Sequence, residues 1–123
     1  MNTFHSFCLV LAGSALLAAC GERTVSFASD IQPIIARHCL ECHAEGKPGQ
    51  EKSGLKLGSY DDLMRGTRFG PVVKPGDSLS SVLTMLVEGR ADPSLKMPHG
   101  RAPLPQESIR LLKAWVEQGA KNN

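Results

Sequence analysis

The sequence predicts an all-α fold, and three observations carry that expectation. Apolar residues recur at helical spacing through Ile31, Ile34 and Ile35, through Leu79, Val82, Leu83, Leu86 and Val87, and through Ile109, Leu112, Trp115 and Val116. No strand-like alternation runs for more than a few residues, and there is no internal repeat. Stretches rich in glycine and proline separate the periodic segments. With 123 residues and 41% hydrophobic content, the chain suffices for one domain and is too short for two. Aromatic residues make up 5%, and Phe4 and Phe7 fall in an N-terminal leader, which leaves Phe27, Tyr60, Phe69 and Trp115. So thin a core gains disproportionately from a metal, a disulfide or a large apolar cofactor. The 14 Lys+Arg and 12 Asp+Glu nearly cancel to a net +2 and are scattered, which argues against a dedicated nucleic-acid surface.

The expected organisation is a leader over 1–19, a tether over 20–26, one domain over 27–120 and a tail over 121–123. Residues 7–19, FCLVLAGSALLAA, are uncharged over 13 positions. That is short of the roughly 20 residues of a membrane-spanning helix and reads as a signal-peptide core. The segment before it, MNTFHSF, offers only the α-amino group and His5 as positive charge. Leu17-Ala18-Ala19-Cys20 resembles the lipobox of bacterial lipoproteins, which are cut before a diacylated cysteine. The resemblance implies a mature chain of 123 − 19 = 104 residues that starts at Cys20. Its acyl chains would hold it to a membrane without spanning it, facing the periplasm. The absence of Asp at Gly21 favours the outer membrane by the same likeness. The alternative is an ordinary secretory leader cut near Ala19, with Cys20 a free thiol.

Within the domain, the first helix is expected near Asp30, whose side chain can cap free N–H groups; Pro33 is harmless in a first turn. Four glycines and a proline in AEGKPGQEKSGLKLG predict a loop from Ala44 to Gly58. Ser59 to Asp62 has capping-box spacing and opens a short helix, carrying Met64, that stops at Gly66. A third helix is expected over about 78–88, ending at Gly89. The last starts around Pro105, turns Ile109, Leu112, Trp115 and Val116 inward, and ends at Gly119. The fold is thus about four helices.

Of four cysteines, Cys8 leaves with the leader and Cys20 is assigned to lipid, so Cys39 and Cys42 remain. Cys39-Leu40-Glu41-Cys42-His43 is a C-x-x-C-H run, the attachment signature of c-type haem. Residues three apart share a face of a helical turn, so both thiols can reach the porphyrin vinyl groups while His43 turns toward the iron. The 44–58 loop then wraps the cofactor edge, with Leu55 and Leu57 as apolar contacts. A C-x-x-C pair also serves zinc sites and thioredoxin-like redox motifs. Zinc would need a fourth ligand beyond Cys39, Cys42 and His43, from His38 or His99. A thioredoxin-like pair would open a helix after a strand, whereas this one closes a helix.

The candidates for a sixth iron ligand are Met64, Met85, Met97, His38 and His99. Met85 lies in an amphipathic helical run, where a packing role is favoured. Met97 differs, because Lys96-Met97-Pro98-His99-Gly100 is a loop between helices from which a thioether can cover the face opposite His43. Met97 is the expected distal ligand and His99 the alternative. A surface or packing role is favoured for His38.

Together these residues resemble the single-haem, class I cytochrome c-like domain of the planctomycete type. Four pieces carry the likeness: Asp30 to Ile35 leading into the C-x-x-C-H; Ser53-Gly54-Leu55-Lys56-Leu57; Val73-Lys74-Pro75-Gly76-Asp77-Ser78; and Met97-Pro98 followed by Leu104 and the run from Ile109 to Ala120. The resemblance covers residues 27 to 120 and implies Cys39 and Cys42 as covalent tethers, His43 as proximal ligand and Met97 as distal ligand. Two departures stand out. His99 occupies the place of a second proline, and Pro105 that of a Ser or Thr cap.

The resemblance implies a non-enzymatic electron carrier: one haem c on an exported, lipid-anchored protein whose partners are exported redox proteins. Lys47, Lys52, Lys56, Lys74 and Lys96 could form a basic docking rim. The alternative is a haem enzyme or a gas or redox sensor with an open sixth site, and a third reading has haem chiefly completing the core of an adaptor. No ordered nucleophile, phosphate loop or paired carboxylates appear, so hydrolase and kinase chemistry, and any evident small-molecule substrate, are set aside.

Overall fold

A computed structural model describes residues 22–123. The leader, Cys8 and the lipobox Cys20 lie outside the described residues. Among the described residues the architecture is all-α, as expected, and no helix is long and apolar enough to cross a membrane.

The helices are α1 (Gln32–His38), α2 (Leu40–His43), α3 (Pro48–Ser53), α4 (Tyr60–Arg65), α5 (Val82–Val87) and α6 (Gln106–Glu117). A π-helical turn, Phe27–Ile31, precedes α1, and a 3₁₀ turn, Pro93–Leu95, precedes the Met97 loop. Among the described residues six α-helices therefore replace the expected four or so. The first predicted helix is split at Cys39, whose φ of −120° breaks the regular path. The expected loop over residues 44–58 holds α3. Pro48 sits in the first turn of that helix, where its missing N–H costs nothing. The predicted third helix is shorter than expected, because Ser81 is extended (ψ 125°) and α5 starts only after it.

Side-chain bonds replace the missing turn. The buried Ser81 hydroxyl accepts from the Lys74 N–H at 2.8 Å and donates to the Asp77 carbonyl at 2.8 Å. Leu79, assigned above to the apolar stripe, is consequently 73% exposed. The first helix is capped differently from the expectation, because the chain is already helical at Asp30: Ser26 caps the π-helical turn, α1 has no side-chain cap, and Asp30 accepts from the Ser26 N–H at 2.8 Å. The cap of α4 follows the sequence. Ser59 Oγ accepts from the Asp62 N–H at 3.1 Å, and α4 ends at Gly66 (φ +79°).

Three of the four expected aromatics make one cluster. Phe27 lies edge-on to Tyr60 with ring centroids 5.2 Å apart and meets Trp115 at 5.6 Å. Such pairs add about 0.5–1.5 kcal/mol each beyond area burial. Trp115 is wholly buried, and its Nε1–H donates to the Lys121 carbonyl at 2.9 Å. Phe69 is the exception, 87% exposed on the turn between Thr67 and Gly70.

Residues 23–26, expected as part of a tether, and 121–123, expected as a tail, are fastened to one another: the Ser26 hydroxyl donates to the Asn123 carbonyl at 2.8 Å and Asn123 Nδ2 to the Val25 carbonyl at 3.4 Å. The Val25 N–H donates to Gln118 Oε1 at 2.7 Å, the Phe27 N–H to Asn123 Oδ1 at 2.9 Å, and the Ala28 N–H to the Asn123 carbonyl at 2.9 Å. Backbone donors that a surface tether would leave to water thus find partners at the end of α6.

Glu117 ties α6 to the segment before α5, accepting from the Ser78 N–H at 3.0 Å and from the Ser78 hydroxyl. These bonds to its charged form hold the Glu117 carboxyl below its ordinary 4.5. A depressed pKa stabilises the fold above the unfolded-state pKa, and that stability is lost as pH falls toward the folded-state value. The expected result is that Glu117→Gln is less stable than the parent at pH 7 and that the gap closes below pH 4.5, read by urea denaturation across pH.

Candidate functional site

The C-x-x-C-H run occupies the joint between α1 and α2. The Cys39 N–H still bonds to the Ile35 carbonyl at 2.9 Å, and the N–H groups of Cys42 and His43 return to the Cys39 carbonyl at 3.1 and 2.9 Å. One turn therefore presents both sulfurs and the imidazole to a cavity of about 490 Å³. That lies within the roughly 300–1,000 Å³ of ligand sites.

Three further parts of the chain supply much of the cavity wall. Leu55 and Leu57 come from the segment after α3, Leu83, Leu86 and Val87 from α5, and Met97, Pro98 and His99 from the loop before α6. Lys52 and Arg101 bring ammonium and guanidinium groups to an otherwise mostly apolar lining. Met97 is half-buried against the core and its N–H donates to the Leu86 carbonyl at 3.2 Å, whereas His99 is exposed. His38 also borders the cavity. Met64 and Met85 do not. Arg101, four residues beyond Met97, pairs with Glu41 of the motif at 2.5 Å and links the loop to the motif turn.

The His43 ring has one nitrogen committed. Its Nδ1 lies 3.2 Å from the Leu55 carbonyl, so Nδ1 carries the proton that this carbonyl accepts, and in the neutral ring Nε2 is the nitrogen that bears the lone pair. That is the protonation pattern of a histidine that ligates a metal through Nε2. Behind the ring, a Cβ on Gly49 would fall 3.1 Å from Cε1 and Nε2 and 2.7 Å from the Cys42 carbonyl, so the ring occupies a cradle that only glycine leaves open.

Both thiols are free, Cys42 exposed and Cys39 half-buried. Burial pushes the Cys39 thiol up to about 11, with Cys42 adding to the effect, so it stays protonated at neutral pH. A low-pKa redox dithiol would show the reverse. Nor does the pair follow a strand, which the thioredoxin-like arrangement requires. Among the described residues no group of three or more His, Cys, Asp or Glu side chains is placed to hold a metal ion by itself. A flat apolar macrocycle fits instead: two sulfurs at one edge, an imidazole with its free nitrogen on one side, and a thioether among the residues of the facing loop.

A family model described as planctomycete cytochrome C matches residues 39–99, from the first motif cysteine to the Met97 loop. Over these residues the chain belongs to the planctomycete cytochrome C family. It is a c-type cytochrome, and the family implies covalently bound haem c. A solved structure, hydrazine synthase of Kuenenia stuttgartiensis, is similar to this cytochrome at 27% identity over 80% of the chain, with a TM-score of 0.54. The cytochrome spans only 16% of that protein's chain. No curated protein matches it.

The sequence missed Gly49, Ser53 and Arg101 as parts of this cytochrome's site. Pro48-Gly49 looks like a chain break, and nothing linear shows that the glycine lies under a histidine six residues earlier.

Proposed function

We propose that this cytochrome is an exported, membrane-anchored carrier that passes single electrons between redox proteins through one haem, held by Cys39, Cys42, His43 and Met97. The observation that carries the reading is that the C-x-x-C-H turn and the Met97 loop border the same apolar cavity. A bound haem supplies a metal centre that accepts and returns one electron. The chain's part is to hold, orient and shield. Cys39 and Cys42 would tether the haem at the α1–α2 joint, and the Leu55 carbonyl holds the His43 ring. Leu83, Leu86 and Val87 make the cavity wall apolar, and a low dielectric with a thioether ligand would favour the ferrous state. Its partners are exported redox proteins, and the lipid anchor is Cys20, on the periplasmic side of the outer membrane.

Met97→Ala tests the carrier reading. Protein from a host with a cytochrome c maturation system is expected to keep covalent haem in the variant but to lose the weak near-infrared sulfur-to-iron band of the ferric parent. Mass analysis of the same parent reads the diacylated Cys20. A second reading, a catalytic or sensing haem with an open sixth position, has one observation in its favour, since the structural neighbour, hydrazine synthase, is by name an enzyme. It requires a high-spin resting spectrum that shifts with carbon monoxide, unaffected by Met97→Ala.

A further inference from the structure

Two residues outside the C-x-x-C-H run support the His43 ring, Gly49 directly behind it and Ser53 through Leu55. We propose that Ser53 and Gly49 are positioning residues that fix the orientation of this imidazole and its electron donation to a bound iron; the assignment rests on the haem reading above.

The Leu55 carbonyl that accepts from His43 Nδ1–H is not held by regular secondary structure, because α3 ends at Gly54 in the left-handed region (φ +80°). The Ser53 hydroxyl holds it there. It accepts from the Leu55 N–H at 3.1 Å and donates to the Gly49 carbonyl at 2.6 Å, lacing the residue that binds the ring to the residue that supports it. The Leu57 N–H then donates to the His43 carbonyl at 3.0 Å, so the 53–57 segment grips His43 by ring and backbone together. Gly49 has no left-handed φ, so its need for glycine is spatial. Any Cβ there must push the Cys42 carbonyl or the imidazole aside. A hydrogen bond from Nδ1 gives the ring more anionic character and stabilises the ferric state, and its weakening favours the ferrous state.

The test uses haem-loaded parent, Ser53→Ala, Ser53→Thr and Gly49→Ala. Each is read for acid-acetone-resistant haem, for midpoint potential, and for solvent exchange of the His43 Nδ1–H proton by NMR of the ferrous protein. Ser53→Ala is expected to retain covalent haem, to shift the ferrous-to-ferric ratio about 3- to 10-fold toward ferrous, tenfold being about 59 mV for one electron, and to speed Nδ1–H exchange. Ser53→Thr, which keeps the hydroxyl, restores both readings, and Gly49→Ala moves both. A haem-bearing Ser53→Ala with parental potential and exchange overturns the assignment, whatever its melting temperature. If that variant does not fold, the parent alone decides: slow Nδ1–H exchange supports the assignment, and exchange as fast as in free imidazole overturns it. A parent that carries no covalent haem overturns the haem reading instead, and the two failures are told apart by the extraction step.

Discussion

Trp115→Ala is expected to leave the domain largely unfolded at room temperature or close to it. Truncating a fully buried tryptophan costs about 3–5 kcal/mol, against the roughly 5–15 kcal/mol that hold a whole domain. Here the loss extends beyond the cavity. Trp115 touches Phe27 on the π-helical turn and Tyr60 on α4, and its indole N–H holds the Lys121 carbonyl. Tyr60 in turn donates to the Ala120 carbonyl at 2.8 Å, so the end of the chain after α6 is fastened by the same cluster. Trp115→Phe keeps the aromatic packing and loses the donor, and is expected to fall between. Because Trp115 is the sole tryptophan, urea unfolding must be followed by circular dichroism, and a midpoint within error of the parent for Trp115→Ala counts against the account.

The second large effect concerns the sulfurs. Cys39→Ser combined with Cys42→Ser is expected to abolish covalent haem entirely, so that any pigment in the purified protein passes into acid acetone. Each single variant keeps one link and yields coloured protein whose haem resists extraction. His43→Ala separates tethering from ligation, because it leaves both thioether bonds while removing the imidazole, and it is expected to give covalent haem with a changed axial spectrum. The structure supports this division. The sulfurs sit on one helical turn by local geometry, whereas the ring is placed by the Leu55 carbonyl twelve residues on. Haem retained against solvent by the double variant would show that its attachment does not run through these cysteines.

The parts of this fold that local chemistry dictates were readable. Ser59 caps α4 because a hydroxyl reaches the backbone N–H three residues on. Gly66, Gly89 and Gly119 each take a positive φ where a helix was expected to stop. Ile109, Leu112, Trp115 and Val116 are all buried, as their spacing on α6 requires. What escaped depended on contacts between distant residues. The Ser78 anchor on Glu117 spans 39 positions, and with Ser81 it converts the expected start of α5 into turns. Helix α3 was hidden because Pro48 and Gly49 look like breakers, yet one suits a first turn and the other makes room for His43. The attachment motif was legible for the same reason as the caps, since its spacing is set within one turn. Of the opposite wall, Met97 could be singled out by its loop. The α5 residues showed only as an apolar stripe, with nothing to say which of them face a ligand.

The division between a solid aromatic cluster and a hollow framed by Leu83, Leu86 and Val87 bears on biogenesis. Before the pigment arrives, the Phe27, Tyr60 and Trp115 side can already set, while the opposite walls lack partner atoms across the gap. Assembly then has a built-in sequence in which one hemisphere serves as a jig and the other clamps down on its cargo. A chain that misses its cargo keeps an open, greasy flank by which quality-control proteases can recognise it.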